Sequence, residues 1–246
     1  MIIWLLVLLL SSIFVDAAHF NGGTITWAPI DINSNSSPVA ITITQTYSWS
    51  YPLITCTTNV PVTSGRLNVN LTCIANCSTD GGYSSAPIDI LTDCISYSST
   101  LGMMTSERTT NITLNIGAYF YIAYKDSAWR SLYNTTSSLD WSVSTLIDLR
   151  VRDDGIVNTP PVANVLSPQY VIVNTTNLID IPVTDVNVGD DVRCRWAVNG
   201  TIDECSGICY PGALPNDTIL SNCTVSFTSL VPGVWYSIAL QVFTIL

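Results

Sequence analysis

The sequence predicts an all-β protein with two β-sandwich domains in tandem after a signal peptide, the second immunoglobulin-like and short of its last strand. Four observations predict this fold class. Apolar and polar residues alternate with a period of two along most runs. A double proline separates two such regions, and a Leu-to-Tyr corner motif near the C-terminus is typical of a sandwich. Charged residues make up 11% of the 246 residues, against about 25% in ordinary soluble domains.

The N-terminus has the pattern of a secretory signal. Residues 2–10 form an unbroken apolar run that is too short to span a membrane, which takes about 20 residues. Val15 and Ala17 would stand at positions −3 and −1 of a cleavage site before Ala18. The sequence therefore predicts a signal peptide at residues 1–17 and no other membrane span, with an uncleaved anchor or a buried strand as the alternative.

The first predicted domain, residues 18–155, is a series of strands rich in Val, Ile, Thr and Tyr, which favour β-structure. Residues 103–108 are the one segment where a short helical turn is expected. The expected strands cover residues 23–27, 39–49, 66–73, 111–116, 118–124 and 141–151.

A break follows at the sequence DDGIVNTPP, where proline excludes both helix and central strand. It predicts a Pro-rich hinge at residues 156–161. The second domain, residues 162–246, should contain strands near 162–165, 169–173 and 178–183, followed by alternating runs around Cys194, Cys223 and the C-terminus.

The segment LVPGVWYSIALQV carries the tyrosine-corner pattern, in which Tyr236 follows Leu230 by six residues across a Pro-Gly turn. With NTPPVANV and DVNVGDDVRCRW, it resembles a fibronectin-III, PKD or cadherin-like sandwich. The opening HFNGGTITW, residues 19–27, is similar to the start of large, mostly uncharacterised invertebrate cell-surface ectodomains. Such a resemblance implies adhesion or recognition.

Eight cysteines fall into two groups of four, each with the form C…C-x3-C…C. An even number in an oxidising compartment predicts disulfides, with pairing inside each group and three connectivities open for each. C-x3-C spacing without a nearby His disfavours zinc. The groups are Cys56, Cys73, Cys77 and Cys94, then Cys194, Cys205, Cys209 and Cys223.

Nine N-x-S/T sequons are present, and behind a signal peptide they predict an N-glycosylated protein. They are Asn35, Asn70, Asn76, Asn111, Asn134, Asn174, Asn199, Asn216 and Asn222.

The candidate metal site is the run from Asp185 through Asn187 to Asp190 and Asp191. Its acid and amide oxygens, arranged around a glycine, suit calcium, which takes six to eight oxygen ligands. The same residue types are also common turn formers, so a plain polar turn is the other interpretation. No other cofactor is predicted.

The sequence argues against catalysis and against binding of nucleic acid. His19 is the single histidine, and no nucleophile-elbow, zinc-protease or phosphate-loop motif is present. The net charge is −10 with eight basic residues and no basic run, whereas phosphate binding takes clustered Lys and Arg. The aromatic run Tyr47, Trp49 and Tyr51 is expected to be strand packing, with a binding platform as the alternative.

We therefore expect a non-enzymatic glycoprotein, secreted or on the outer face of the plasma membrane, that acts in adhesion or recognition. Its partner would be an extracellular protein or glycan. A passive spacer in a matrix or coat is the first alternative, and a secreted hydrolase with an acid-lined pocket in the first domain is the second.

Overall fold

The computed structural model describes residues 19–64, 69–135, 139–165 and 167–245, and the predicted signal peptide lies outside these ranges. The described residues form fourteen β-strands and three short 3-10 turns, with no α-helix among them. The predicted all-β fold class is therefore confirmed. The 3-10 turns are Cys77–Thr79, Tyr83–Ser85 and Ser206–Ile208.

Seven strands form a first pair of antiparallel sheets with orders β1-β2-β5-β4 and β3-β6-β7. This is the strand order of a seven-stranded immunoglobulin sandwich of the constant type. The strands are β1 (Phe20–Pro29), β2 (Val39–Ser50), β3 (Thr72–Ala75), β4 (Asp93–Ser98), β5 (Met103–Leu114), β6 (Tyr119–Ser127) and β7 (Asp140–Asp148).

The core between these two sheets is dominated by aromatic side chains. Phe20 of β1 stacks on Trp141 of β7 with ring centroids 4.1 Å apart, and Tyr47 of β2 meets Tyr124 of β6 at 5.2 Å. The indole N–H of buried Trp49 donates to the Ser106 hydroxyl at 2.9 Å, which satisfies a polar group that burial would otherwise penalise. Alternation along the strands thus delivers one face of each sheet to a common core.

The remaining strands form a second set of sheets with orders β12-β13-β9, β11-β14 and β10-β8. The Cys194–Cys223 disulfide joins β11 to the residue before β13 and so connects two of these sheets. The strands are β8 (Val162–Ala163), β9 (Thr176–Asp180), β10 (Val183–Thr184), β11 (Asp191–Trp196), β12 (Ile219–Ser221), β13 (Thr224–Thr228) and β14 (Leu240–Ile245).

A similar corner sequence connects the sheets in both sets. LNIGAYFYIA leads from the end of β5 into β6, and LVPGVWYSIA leads from β13 towards β14. Leu, Gly, Ile and Ala occupy matching positions, and both glycines, Gly117 and Gly233, have positive φ values of 82° and 74°. At the second corner the Ser229 hydroxyl donates to the Tyr236 hydroxyl at 3.3 Å, so the phenol contacts a side chain of the preceding loop.

Several predicted element boundaries are wrong. Residues 103–108, expected to form a helical turn, are the first half of β5, because β2 and β4 pair with them on both sides. Residues 169–173 form no strand, and β8 pairs instead with β10. The predicted strand at 178–183 is divided into β9 and β10 around Ile181 and Pro182. Residues 65–68, within the strand expected at 66–73, lie outside the described residues.

The segment predicted to be a hinge is packed against the rest of the protein. Val157 is fully buried, and its N–H donates to the Ser34 carbonyl at 3.0 Å. Val157, Ala197 and Ile208 belong to the same apolar cluster as the first sandwich core. The division into two domains at residues 156–161 stays a prediction, but those residues do not form an exposed linker.

Candidate interaction surface

One end of the first sandwich exposes a group of apolar side chains, which we call the apical patch. Leu53, Ile95, Tyr97 and Leu101 are 61%, 59%, 58% and 48% exposed, and Tyr51 is half-buried beside them. Single exposed apolar residues are ordinary on a protein surface, whereas a contiguous group indicates a contact surface.

The apical patch is built by the turn after β2, by strand β4, which carries Ile95 and Tyr97, and by the turn between β4 and β5. The Tyr51 N–H donates to the Gly102 carbonyl at 2.9 Å, which holds the two turns together. The rings of Tyr51 and Tyr97 stack at 4.9 Å with an interplanar angle of 29°. Two aromatic faces are therefore held in a fixed orientation at the end of the sandwich.

A disulfide fixes the loop beneath the patch to the edge strand of the sheet. Cys56, in the loop after β2, is bonded to Cys94 of β4. The β4–β5 register shifts between Cys94 and Ser96, so Ile95 is the extra residue of a β-bulge and projects to solvent. An open cavity of about 260 Å³ adjoins this disulfide, lined by Cys56, Thr57, Thr58, Asn59, Val60, Asp93 and Cys94.

One arginine pairs with two carboxylates on the sheet beside the patch. The Arg108 guanidinium on β5 lies 3.2 Å from the Asp93 carboxylate and 3.3 Å from that of Asp89. Such partly exposed pairs contribute little to stability, under about 1 kcal/mol. The guanidinium compensates one of the two negative charges.

All nine sequon asparagines are exposed. Asn76, Asn134, Asn174 and Asn222 adopt positive φ, between 46° and 60°, as expected for asparagine at the apex of a turn. Asn111 lies on β5, where the Thr42 hydroxyl donates to its side-chain oxygen at 2.9 Å and leaves the amide nitrogen available. The apical patch comes from residues 36–69 and 77–110, which contain no sequon.

The four predicted calcium ligands are already engaged by other groups. Arg152 makes a bidentate ion pair with Asp190 at 2.8 Å, and Arg193 pairs with Asp191 at 2.6 Å. Asp185 accepts from the Asn187 N–H and the Thr244 hydroxyl, while the Asn187 side-chain oxygen accepts from the Thr159 N–H.

Within the described ranges, no group of three or more His, Cys, Asp or Glu side chains is arranged to hold a metal ion. The geometry of the 185–191 segment thus fits a turn tied to the chain around residue 152, and a calcium site there stays a prediction.

The single histidine is buried against the aromatic core, and the two cavities described beside β4 and β11 are lined by other residues. His19 is 7% exposed, and its ring stacks on Trp49 at 5.9 Å. The 260 Å³ cavity contains the carboxylate of Asp93, and a second, of about 380 Å³ beside β11, contains that of Asp191. Each of these carboxylates is paired with an arginine.

The described cysteines form four disulfides, and pairing stays inside each group of four. In both groups the first cysteine pairs with the fourth and the second with the third. The resulting bonds are Cys56–Cys94, Cys73–Cys77, Cys194–Cys223 and Cys205–Cys209.

Sequence reasoning missed most of the apical patch because it did not predict β4. Ile95, Tyr97 and Leu101 lie in a serine-rich segment whose alternation is broken by the bulge. Tyr51 was recognised as aromatic, but its neighbours Tyr47 and Trp49 are buried in the core. The sequence did contain one usable signal: the apolar residues of the patch lie in two stretches, 36–69 and 77–110, that contain no sequon.

Similarity to known proteins gives no indication of what this chain does. No protein-family model, curated protein or solved structure matches the chain. In the described part of the chain, no helix has the length and hydropathy needed to cross a membrane.

Proposed function

We propose that this chain is a non-enzymatic extracellular glycoprotein that acts in adhesion or recognition, and that the apical patch is its binding surface. The observation that carries the proposal is the stacked pair Tyr51 and Tyr97, flanked by exposed Leu53, Ile95 and Leu101. A soluble protein keeps such a group in water at a cost of about 25 cal/mol per Å² of apolar surface.

The covalent features of the chain support an extracellular location. Four disulfides are typical of an oxidising compartment, and each of the nine sequons is accessible to the glycosylation machinery. Cleavage before Ala18 would leave His19 as the second residue, directly before β1 begins at Phe20.

The partner that best fits the patch presents an apolar surface. Stacked tyrosines bind sugar rings and apolar protein side chains alike, because each ring offers a flat face and a polar hydroxyl. A net charge of −10 disfavours nucleic acid. An extracellular protein or glycan therefore remains the proposed partner class.

The two alternatives have less support. A passive spacer has no use for an exposed apolar patch, which would increase non-specific association. A secreted hydrolase would need two carboxylates facing one cleft, at roughly 5–10 Å from each other. The two cavities next to β4 and β11 are each lined by one carboxylate residue, Asp93 and Asp191. No observation on the described residues therefore favours hydrolase activity.

The decisive test places a glycan on the patch. Tyr97→Asn creates a sequon because Ser99 follows two residues later. The glycosylated chain, tetramerised on beads, should bind one or more members of a panel of extracellular domains and matrix glycans. The variant should lose at least about tenfold in affinity, a loss of about 1.4 kcal/mol.

Ile219→Asn is the matched control. Ile219 is 62% exposed, close to the value for Tyr97, and Ser221 completes a sequon there on β12 of the second sheet set. This variant should bind as the unmodified chain does. If the unmodified chain binds no member of the panel, the passive spacer is favoured. If both variants lose affinity equally, the binding surface lies outside the apical patch.

A further inference from the structure

Arg130 differs from the other basic side chains because no carboxylate of the described chain pairs with it. The chain has eight basic residues, and Arg66 lies outside the described ranges, which leaves seven to compare. Six of these seven have an Asp or Glu oxygen within 4.0 Å of a side-chain nitrogen, whereas Arg130 has none. In a chain with 18 acidic residues for eight basic ones, such an unpaired guanidinium is a candidate contact for an anion from outside the chain.

The guanidinium of Arg130 is supported by an aromatic ring at the junction between the two sheet sets. Its Cζ lies 4.1 Å from the centroid of the Trp235 ring, and the Arg130 backbone N–H donates to the Phe20 carbonyl at 3.2 Å. The Trp235 carbonyl in turn accepts from the Tyr133 N–H at 2.6 Å. Stacking uses the flat face of the guanidinium, so the N–H donors along its edge can bind another group.

The surroundings of Arg130 leave hydrogen-bond donors without acceptors. Its Nη1 atom and the indole nitrogen of Trp129, a residue only 7% exposed, are buried and have no hydrogen-bond partner among the described residues. Both groups donate and cannot accept. Burial lowers the pKa of the Arg130 guanidinium, and the Tyr170 phenol acts in the opposite direction. An anion would therefore compensate a charge that burial disfavours, and Arg130 is only partly buried, which gives a ligand access to its side chain.

We propose that Arg130 is the centre of a second binding site, which binds the carboxylate of an acidic sugar at the end of a glycan. The guanidinium binds the two carboxylate oxygens through parallel N–H···O bonds, while Trp235 supports it from its flat face. This site is independent of the apical patch, because its residues lie at the junction of the sheet sets and none of them belongs to the patch.

The charge of the chain favours a ligand with a single carboxylate over a polyanion. One guanidinium balances one negative charge, and the net charge of −10 repels a ligand that carries many, such as an acidic peptide or a sulfated polysaccharide. An acidic sugar has one carboxylate on an otherwise neutral ring. Tyr170, which is 66% exposed, adds an aromatic face of the kind that packs on a sugar ring.

Arg150 provides a matched control within the same chain. Its Cζ lies 4.0 Å from the centroid of the Tyr119 ring, so it stacks on an aromatic face as Arg130 does. Its guanidinium, however, already donates to both oxygens of Asp148, at 2.8 and 2.7 Å. A comparison of the two arginines therefore separates an available guanidinium from one that the chain itself occupies.

The test uses the chain secreted from cells that add no acidic sugars, so that its own glycans cannot occupy the site. One probe is a polymer that carries a sialic acid glycoside, and the second is the same polymer with each carboxylate reduced to an alcohol. Biolayer interferometry should show at least about tenfold tighter binding of the first polymer. Arg130→Lys keeps a charge but loses the planar fork, and it should lower that affinity by at least about tenfold. Arg150→Gln and Tyr97→Asn should bind as the unmodified chain does.

Four outcomes would overturn the proposal, and two of them need no variant. Equal binding of the acidic and the reduced polymer by the unmodified chain means that the carboxylate is not recognised. Binding of neither polymer means that Arg130 serves only as a contact between the sheet sets. Equal losses in Arg130→Lys and Arg150→Gln mean that the loss follows from charge in general, and a loss in Tyr97→Asn alone means that the sugar binds at the apical patch.

Discussion

Two ion pairs close together on β11 differ in burial, and burial decides what each contributes to stability. Arg195 makes a bidentate pair with Glu204 at 2.6 and 2.7 Å, and the Glu204 side chain is 2% exposed. The Glu204 carboxylate raises the pKa of the Arg195 guanidinium through these hydrogen bonds. Two residues earlier, Arg193 and Asp191 form a pair whose side chains are both more than half exposed.

Glu204→Gln should destabilise the protein by about 1.5–3 kcal/mol, because the guanidinium loses its charged partner and the Val198 N–H loses a charged acceptor. Asp191→Asn is the matched control and should cost under about 1 kcal/mol. Chemical denaturation of the oxidised proteins measures both values. Equal costs for the two substitutions would show that burial of Glu204 adds nothing.

At the scale of elements, the two corners need the same backbone conformation. Gly117 and Gly233 have positive φ, a region that other residues enter at a cost of roughly 1 kcal/mol. An added Cβ would meet no atom within 4 Å at either position, so any cost of substitution comes from the backbone rather than from a clash.

Gly117→Ala and Gly233→Ala should each lower the free energy of unfolding by about 1 kcal/mol. Gly200→Ala is the control, since Gly200 has no positive φ and its surroundings are equally open. That substitution should be neutral or stabilise by up to about 1 kcal/mol. Thermal unfolding followed by circular dichroism compares the three, and a stabilising effect at either corner would contradict this account.

The sequence predicted strands well where apolar and polar residues alternate over a long run. It predicted them poorly where strand formation depends on pairing with a neighbouring strand. Alternation over residues 39–49 predicted most of β2. It could not predict β4, because the bulge at Ile95 interrupts the pattern, nor the three residues of β12. The corner repeat, LNIGAYFYIA and LVPGVWYSIA, was present in the sequence and would have revealed that the two sheet sets share a design.

The apical patch was largely beyond sequence reasoning for a related reason. Its residues come from two separate segments, which the Tyr51–Gly102 hydrogen bond, the Tyr51–Tyr97 ring stacking and the Cys56–Cys94 disulfide bring together. A prediction of pairing within the group of four cysteines leaves open which cysteines join. The contact that assembles the surface could therefore not be deduced from spacing alone.

At the scale of the whole molecule, the two sheet sets are joined by polar as well as apolar contacts. Lys125 of β6 lies 2.5 Å from the Asp203 carboxylate, and the Ser142 hydroxyl donates to the Asp203 carbonyl at 2.7 Å. Arg130 lies over the Trp235 ring at 4.1 Å, in a cation–π contact. Together with the shared core around Val157, these contacts predict that both sets unfold in one transition.

That transition should depend on pH through Asp203. Burial alone would raise the pKa of its carboxyl, but hydrogen bonds from Lys125 and the Ser206 N–H outweigh burial and lower it. A carboxyl whose pKa is lower in the folded state than in the unfolded state stabilises the protein at pH values above the unfolded-state pKa, which is near 4. That contribution is lost as the pH falls through the folded-state pKa.

Asp203→Asn should therefore lower the melting temperature at pH 7, and the difference in melting temperature from the unmodified protein should shrink as the pH approaches 2. Calorimetry at several pH values measures this, with equality of calorimetric and van't Hoff enthalpies as the criterion for a single transition. Two resolved transitions at pH 7 would show that the sheet sets unfold independently, and a pH-independent difference would show that the Asp203 charge does not contribute.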